Sequence, residues 1–454
     1  MITNLTSNKK LLLGTLLLLL ATNFAFGQST PSKVEVYQGS DGVWSLKVDG
    51  EPFYIKGAGG IEYLDEVVKM GGNTIRTWSV DDAAKVLDQA HKRGLKVMVG
   101  LWVQHERHGF DYNNKEAVAA QLENFRQKIR KYKDHPALLI WCVGNEYELF
   151  YSNTKVWAAV NDIAKMIQEE DPNHPVSTVT AGTNAEKLQF VMKELTDIDI
   201  YGINTYGDIG KVKDIIKNGN YKGPYMITEW GPTGHWESPH TKWKVAIEQT
   251  SKEKAASYLK RYKEFIEAQR TQCVGSFAFL WGQKQEYTST WYGLFTDKDM
   301  PTEALDELEY SWTGKYPENR APTIDSVLLN GSTNIKNIIL PPLTKVNLSL
   351  FASDKNNDKL NYSWELYAES TDKKAGGDAE DKPLSIPGRI KGKSKTNMTL
   401  KTPLNEGRYR IFIFVDDGKK VAYLNIPIYI ESDPSVDAKF VRLKQQTLQS
   451  FYEN

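Results

Sequence analysis

Two glutamates close apolar runs in this chain, Trp141-Cys142-Val143-Gly144-Asn145-Glu146 and Tyr225-Met226-Ile227-Thr228-Glu229-Trp230-Gly231. An ionised carboxylate inside either run would be buried without a partner, so each glutamate belongs where its strand meets a loop. Two carboxyl groups brought to one place suit the cleavage of a glycosidic bond, which passes through a cation-like transition state. One protonates the leaving oxygen and the other meets the anomeric carbon, and in the retaining version they stand about 5–5.5 Å apart.

The chain around them supplies a frame that can do this. From Phe53 to about Tyr316, apolar runs alternate with amphipathic segments, the pattern of parallel strands covered by helices. Strands are expected at Tyr54–Gly57, Asn73–Trp78, Lys96–Trp102, Leu138–Asn145, Val176–Thr180, Ile198–Asn204, Tyr225–Thr228 and Gly275–Trp281. Helices are expected at Asp81–Arg93, Asn114–Tyr132, Lys155–Glu170 and Ser251–Arg270. Eight such strands close into a (β/α)8 TIM barrel, whose working face is the carboxyl end of its strands. Val34–Val48, alternating about Ser40-Asp41-Gly42, reads as a hairpin that precedes the barrel or plugs its base.

Beyond the stiff connector Pro317–Pro322 the pattern changes to short alternating strands at Ile324–Leu329, Lys345–Ala352, Leu360–Glu369, Arg408–Val415 and Ala422–Ile430, a β-sandwich. The stretch Thr371–Lys395, rich in Lys, Gly, Asp and Ser, reads as a mobile loop within it. The fold class is thus α/β, a TIM barrel followed by a small all-β sandwich. The expected divisions are a signal peptide at 1–27, the barrel with its hairpin at 28–317, the sandwich at 318–432 and a tail at 433–454.

Other residues fit the carboxylate pair. Asn145, turned toward a cleft, suits a sugar 2-hydroxyl, with capping of the next helix as the plain alternative. Arg76 is a cation where a barrel wall wants an apolar residue, which makes sense if it keeps Glu229 ionised; Asp81 or Asp82 would be its structural partners otherwise. Tyr206 is placed to donate its phenol to the same carboxylate, or to pack in its loop. Sugar faces are flat and weakly apolar, so Trp102, Tyr147, Tyr151, Trp230, Trp236, Trp281, Tyr287, Trp291 and Tyr292 are candidate platforms or core. In Gln104-His105-Glu106-Arg107-His108 the two histidines lack a third ligand at metal-site spacing, so His105 is taken as a sugar contact and no metal is expected. Asp354-Lys355-Asn356-Asn357-Asp358 puts lysine at Lys359 where a calcium loop needs glycine, and reads as a turn.

Lys and Arg total 57, as do Asp and Glu, so no net field favours nucleic acid or an anionic membrane. Lys9-Lys10, the apolar Leu11–Ala25 and Ala25-Phe26-Gly27 form a cleavable export leader, too short to prefer a permanent span. The two cysteines, Cys142 and Cys273, fall on the fourth and eighth strands and are expected as buried free thiols.

The two glutamate motifs, one in each of the fourth and seventh strands, resemble those of clan A glycoside hydrolases. They are similar to those of the barrel domain of glycoside hydrolase family 2, and family 5 is similar as well. The resemblance covers about Phe53–Tyr316 and implies that Glu146 is acid and base and that Glu229 is nucleophile. It places Arg76, Asn145 and Tyr206 at positions the clan uses, and makes Trp281 the floor of the subsite beside the scissile bond. Family 2 carries β domains ahead of its barrel, whereas the processed chain here leaves about 25 residues, so the layout is closer to a shorter clan A family acting on β-1,3-glucan. The Ala-Ser-Asp and Tyr-Ser-Trp contexts resemble immunoglobulin-like domains of the PKD type. The expected function is that of an exported retaining β-glycoside hydrolase acting on a β-linked glucan-type polysaccharide or oligosaccharide, with no cofactor. Transglycosylation, β-galactosidase or β-mannanase activity, and a non-catalytic glycan-binding protein are the alternatives.

Overall fold

The computed structural model describes residues 31–392 and 394–432. The expected leader at 1–27 and tail at 433–454 lie outside these residues. Among the described residues no helix is long and apolar enough to cross a membrane.

A three-stranded antiparallel sheet opens the chain: β1 Val34–Gln38, β2 Trp44–Val48 and β3 Glu51–Phe53. Val34, Leu46 and Val48 point into one apolar cluster with Ile55, Met98, Ile140, Met226 and Phe277 of the barrel strands, so this sheet plugs the base as its alternation suggested.

Eight parallel strands then close the barrel: β4 Ile55–Gly59, β5 Thr74–Arg76, β6 Lys96–Leu101, β7 Leu138–Val143, β8 Val176–Ala181, β9 Ile200–Asn204, β10 Tyr225–Trp230 and β11 Cys273–Ala278. The ring order is β10-β11-β4-β5-β6-β7-β8-β9. All eight match expected strands. Around them run α1 Leu64–Lys69, α2 Ala83–His91, α3 Lys115–Tyr132, α4 Lys155–Glu170, α5 Ala185–Glu194, α6 Val212–Asn218, α7 Ser251–Arg261 and α8 Glu303–Thr313. Local chemistry sets their ends. Asn114 accepts from Ala117 N at 3.0 Å to start α3, Thr250 and Glu253 form a capping box for α7, and Gly94, at φ +70°, takes the left-handed turn after α2. Cys142 and Cys273 are both buried and free, with burial raising their thiols to about 11 and about 12.

The sandwich pairs two four-stranded sheets. One has the order β12 Thr323–Leu329, β14 Lys345–Ser353, β17 Asn397–Lys401, β16 Ile390–Gly392, and the other β13 Ile338–Leu340, β19 Val421–Ile430, β18 Gly407–Asp416, β15 Asn361–Ala368. The short strands β13, β16 and β17 escape the sequence pattern. Val346, Leu348, Ile411, Ile413, Ile426 and Ile428 fill the space between the sheets. Asp354 Oδ1 accepts the amides of Asn356 and Asp358, which closes a turn.

Barrel and sandwich are joined through buried charge. Lys254 and Glu248 pair at 2.5 Å, Asn425 donates to the same Glu248, and Arg410 pairs with Glu369 while donating to Ala246 O. The segment after β15, expected to be mobile, is tied down instead. Arg107 binds Asp378, Lys284 donates to Gly377 O, and Lys382 pairs with Asp297. A few of its polar groups make contacts to the barrel while most of the segment stays exposed.

Candidate active site

Glu229 reaches the barrel mouth through an irregularity in β10. Met226 and Thr228 face the interior, so strict alternation would send Glu229 outward. The register shifts between Ile227 and Glu229, and Trp230 takes the outward place against Tyr258 and Tyr262. Such a bulge re-aims one side chain. Glu146 arrives by a different route. β7 ends at Val143, Gly144 turns the chain at φ +76° and Glu146 itself holds φ +50°, a strained value for glutamate. A Cβ on Gly144 would lie 2.7 Å from the Tyr147 ring.

The two carboxyl groups have unequal surroundings. Glu229 Oε1 accepts from Arg76 Nη1 at 3.0 Å and Trp78 Nε1 at 2.8 Å, and its Oε2 from the Tyr206 hydroxyl at 3.0 Å. Three donors, one a cation, thus fix both of its oxygens in place. Glu146 Oε1 accepts one neutral donor, Asn204 Nδ2, at 2.8 Å. Burial first, and the charge of Glu229 second, raise its carboxyl to about 8, so near neutral pH it holds a proton.

Arg76 is 0 % exposed. In β5 the alternation turns Ile75 to the helices and Arg76 inward, where it also donates to Asn145 Oδ1 at 2.6 Å and Thr228 O at 2.7 Å. It therefore does not contact substrate, as a substrate-binding role would require; it positions Glu229 and Asn145. The structural partners Asp81 and Asp82 are not used. Asn145 caps no helix. Its oxygen accepts from Arg76 and from Asn204 Nδ2 at 3.1 Å, so the amide nitrogen is what it offers to the cleft.

Above these groups lies a cleft of about 650 Å³, within the roughly 300–1,000 Å³ usual for ligand sites. Trp78, Trp102, Tyr206, Trp236 and Phe279 supply its aromatic faces, beside Asn145, Glu146, Asn204 and Glu229.

Two expected contacts fall elsewhere. Trp281 is 1 % exposed and packs on Phe295 and Trp312, because β11 ends at Ala278 and the chain has already turned outward three residues later; Phe279 holds the place at the mouth. His105 is also 1 % exposed. Its ring lies between Trp102 and His108, with centroids at 4.7 and 5.3 Å, and its Nδ1 accepts from Arg107 Nε at 3.1 Å. Burial and then Arg107 lower it to about 4, leaving a neutral ring that supports Trp102 from behind. Tyr147 and Tyr151 pack on Trp157, and Tyr287, Trp291 and Tyr292 join the cluster behind Tyr206.

Sequence reasoning missed Asn204 and Trp78. Asn204 ends β9 on the inward phase of its alternation, and Trp78 follows Arg76 by two residues, so both signals were present.

The family model described as "Glycosyl hydrolases family 2, TIM barrel domain" matches residues 67–315. No curated protein matches the chain. Among solved structures, a β-D-glucuronidase of Dictyoglomus thermophilum is 18% identical with a TM-score of 0.49, covering 63% of this chain and 54% of its own. A Bacteroides uniformis β-glucuronidase is 15% identical with a TM-score of 0.49, covering 88% and 48%. A GH2 β-galacturonidase of Eisenbergiella tayi bound to galacturonate is 15% identical with a TM-score of 0.48, covering 63% and 55%. The chain spans about half the length of these proteins.

Proposed function

Because the chain belongs to glycosyl hydrolase family 2 through its TIM barrel domain, we propose that it is a retaining β-glycoside hydrolase with Glu229 as nucleophile and Glu146 as acid and base. The observation that carries this reading is the inequality of the two carboxyl groups. Glu229, held through both oxygens by Arg76, Trp78 and Tyr206, is the carboxyl group positioned to attack the anomeric carbon. Glu146, raised to about 8, is kept as an acid able to protonate the departing oxygen. Once the first sugar has left, Glu146 is a carboxylate and takes a proton from water, which releases the glycosyl group from Glu229.

An uncharged sugar fits the cleft best. Among the described residues lining it, the one Lys or Arg is Lys284, held by Glu286 at 2.8 Å and by Gly377 O. A uronate carboxylate would find no free cation there. A β-linked glucan, with β-galactoside or β-mannan next, is the substrate class proposed. A sugar hydroxyl in place of water would make the same site a transglycosylase. The basic, apolar and small-residue order of residues 9–27 supports export, and the mass of the mature chain in cell fractions tests it.

The test of the chemistry is Glu229→Ala assayed on an activated aryl β-glycoside. Turnover is expected to vanish and azide to restore cleavage, with a glycosyl azide of inverted configuration. Activity that survives the substitution removes Glu229 from the mechanism.

A further inference from the structure

The barrel's own loops leave its mouth uneven. Loops after β6 (102–114), β7 (144–154), β10 (231–250) and β11 (279–302) are long, while those after β4 (60–63), β5 (77–82), β8 (182–184) and β9 (205–211) are short. In the ring order, long loops therefore face each other across a groove with low ends, one over β4 and β5 and the other over β8 and β9.

The sandwich fills one of these ends. Ala375, Gly376 and Gly377 line the cleft together with Trp78. The segment runs from the loops after β6 and β7, where a Cβ on Gly376 would lie 2.8 Å from Arg107 Nη2 and 2.9 Å from Leu149, to the loop after β11, where Lys284 donates to Gly377 O. That is the span the short loops after β4 and β5 leave uncovered. Both glycines have positive φ, +65° and +72°, so the turn is one that glycine makes without strain.

Its anchoring is strong. Arg107 forks onto both oxygens of Asp378 at 2.9 and 3.2 Å and donates to Ala375 O, His108 adds a contact to Asp378 at 3.2 Å, and Glu380 accepts from Tyr287 N at 2.6 Å. Arg107 also bonds His105, on which Trp102 is stacked, so the wall and an aromatic face of the cleft share one support. Asn425 donating to Glu248, Arg410 donating to Ala246 O and Lys254 donating to the Tyr423 hydroxyl hold the sandwich itself against the barrel.

We propose that residues 374–380 of the sandwich are a wall of the substrate site, closing the groove over β4 and β5 so that the enzyme takes the end of a β-linked chain and leaves the rest to exit over β8 and β9. The proposal rests on the glycosidase reading and specifies its mode of action. The sandwich is then part of the site rather than an appended adhesive module.

The test uses the full chain and reducing-end-labelled β-1,3-gluco-, β-1,4-manno- and β-1,4-galacto-oligosaccharides of two to six units. The native chain is expected to cut a terminal bond almost alone. In Asp378→Ala, and in a variant with residues 374–379 replaced by Gly-Ser, the ratio of internal to terminal cleavage should rise at least fivefold, with folding verified by thermal unfolding. A native chain that cuts internal bonds as often as terminal ones, or folded variants that keep the native pattern, would overturn the wall. A chain that cleaves none of these sugars and no aryl β-glycoside overturns the underlying activity, a distinct result.

Discussion

At the base of the barrel, Met98, Ile140, Cys142, Val179, Ile200, Met226 and Phe277 fill the interior against the plug sheet; at the mouth the ring of strands and the turn after β7 carry Arg76, Asn145, Asn204 and Glu229, joined by hydrogen bonds. The interior of one ring of strands thus carries two kinds of packing. The base is held by volume and apolar area, which any well-fitting side chain can supply. The mouth is held by directed bonds between groups that have been taken out of water, and each removal there strands a partner. Stability and chemistry are divided by height along the strands, and the contrast can be broken at either end.

The largest effect is expected from Arg76→Leu. It leaves Glu229 buried beside Asn145 without its cation, which should cost about 3–5 kcal/mol of stability and also abolish turnover. Chemical denaturation alongside kcat measures both, and loss of only one would show that the pair serves only one purpose. Glu146→Ala should lower kcat on glycosides with poor leaving groups by roughly 10²–10⁴-fold and on activated aryl glycosides far less. Equal losses would argue against an acid role. In the proposed mechanism the acid form of Glu146 is the working one, so kcat/KM should hold as pH rises to about 8 and fall above it.

Phe277→Ala at the base is the converse case. A fully buried ring is lost there, so stability should drop by about 3–5 kcal/mol while kcat/KM at moderate temperature stays within roughly threefold. A large loss of kcat/KM in the folded variant would mean that base and mouth are not separable. The smallest effect is expected from Asn204→Ala. Its amide stabilises the carboxylate form of Glu146, so removing it raises that group further and should move the basic limb of the pH profile upward by about one unit. A limb that moves downward contradicts the assigned hydrogen bond.

What was legible in the sequence follows the same division. Buried parallel strands read as apolar runs, so all eight were found, as was the hairpin of β1 and β2 with its two-residue alternation; the third strand of that sheet, β3, was not. Glu146 and Glu229 were legible because a buried apolar run rarely ends in a carboxylate unless water or a reaction meets that group there. Trp281 misled because placing the strand end three residues late reverses which side chain faces the mouth. His105 was read as a free polar group, yet a flat ring between two other rings is as well placed inside a wall as on it. The docking of residues 374–380 left no local trace. Lys, Gly, Asp and Ser in an irregular stretch look the same whether they face water or grip Arg107 and Lys284 from another part of the chain.

The central claim is that Glu229 bonds to the anomeric carbon while Glu146 serves as the acid. An activated 2-deoxy-2-fluoro β-glycoside slows release of the sugar more than its arrival, so the bound glycosyl group can be located by peptide mass mapping. The account predicts one added sugar on the peptide that contains Glu229, absent in Glu229→Ala. A sugar found on Glu146, or a first-formed product of inverted configuration in the native enzyme, would contradict it.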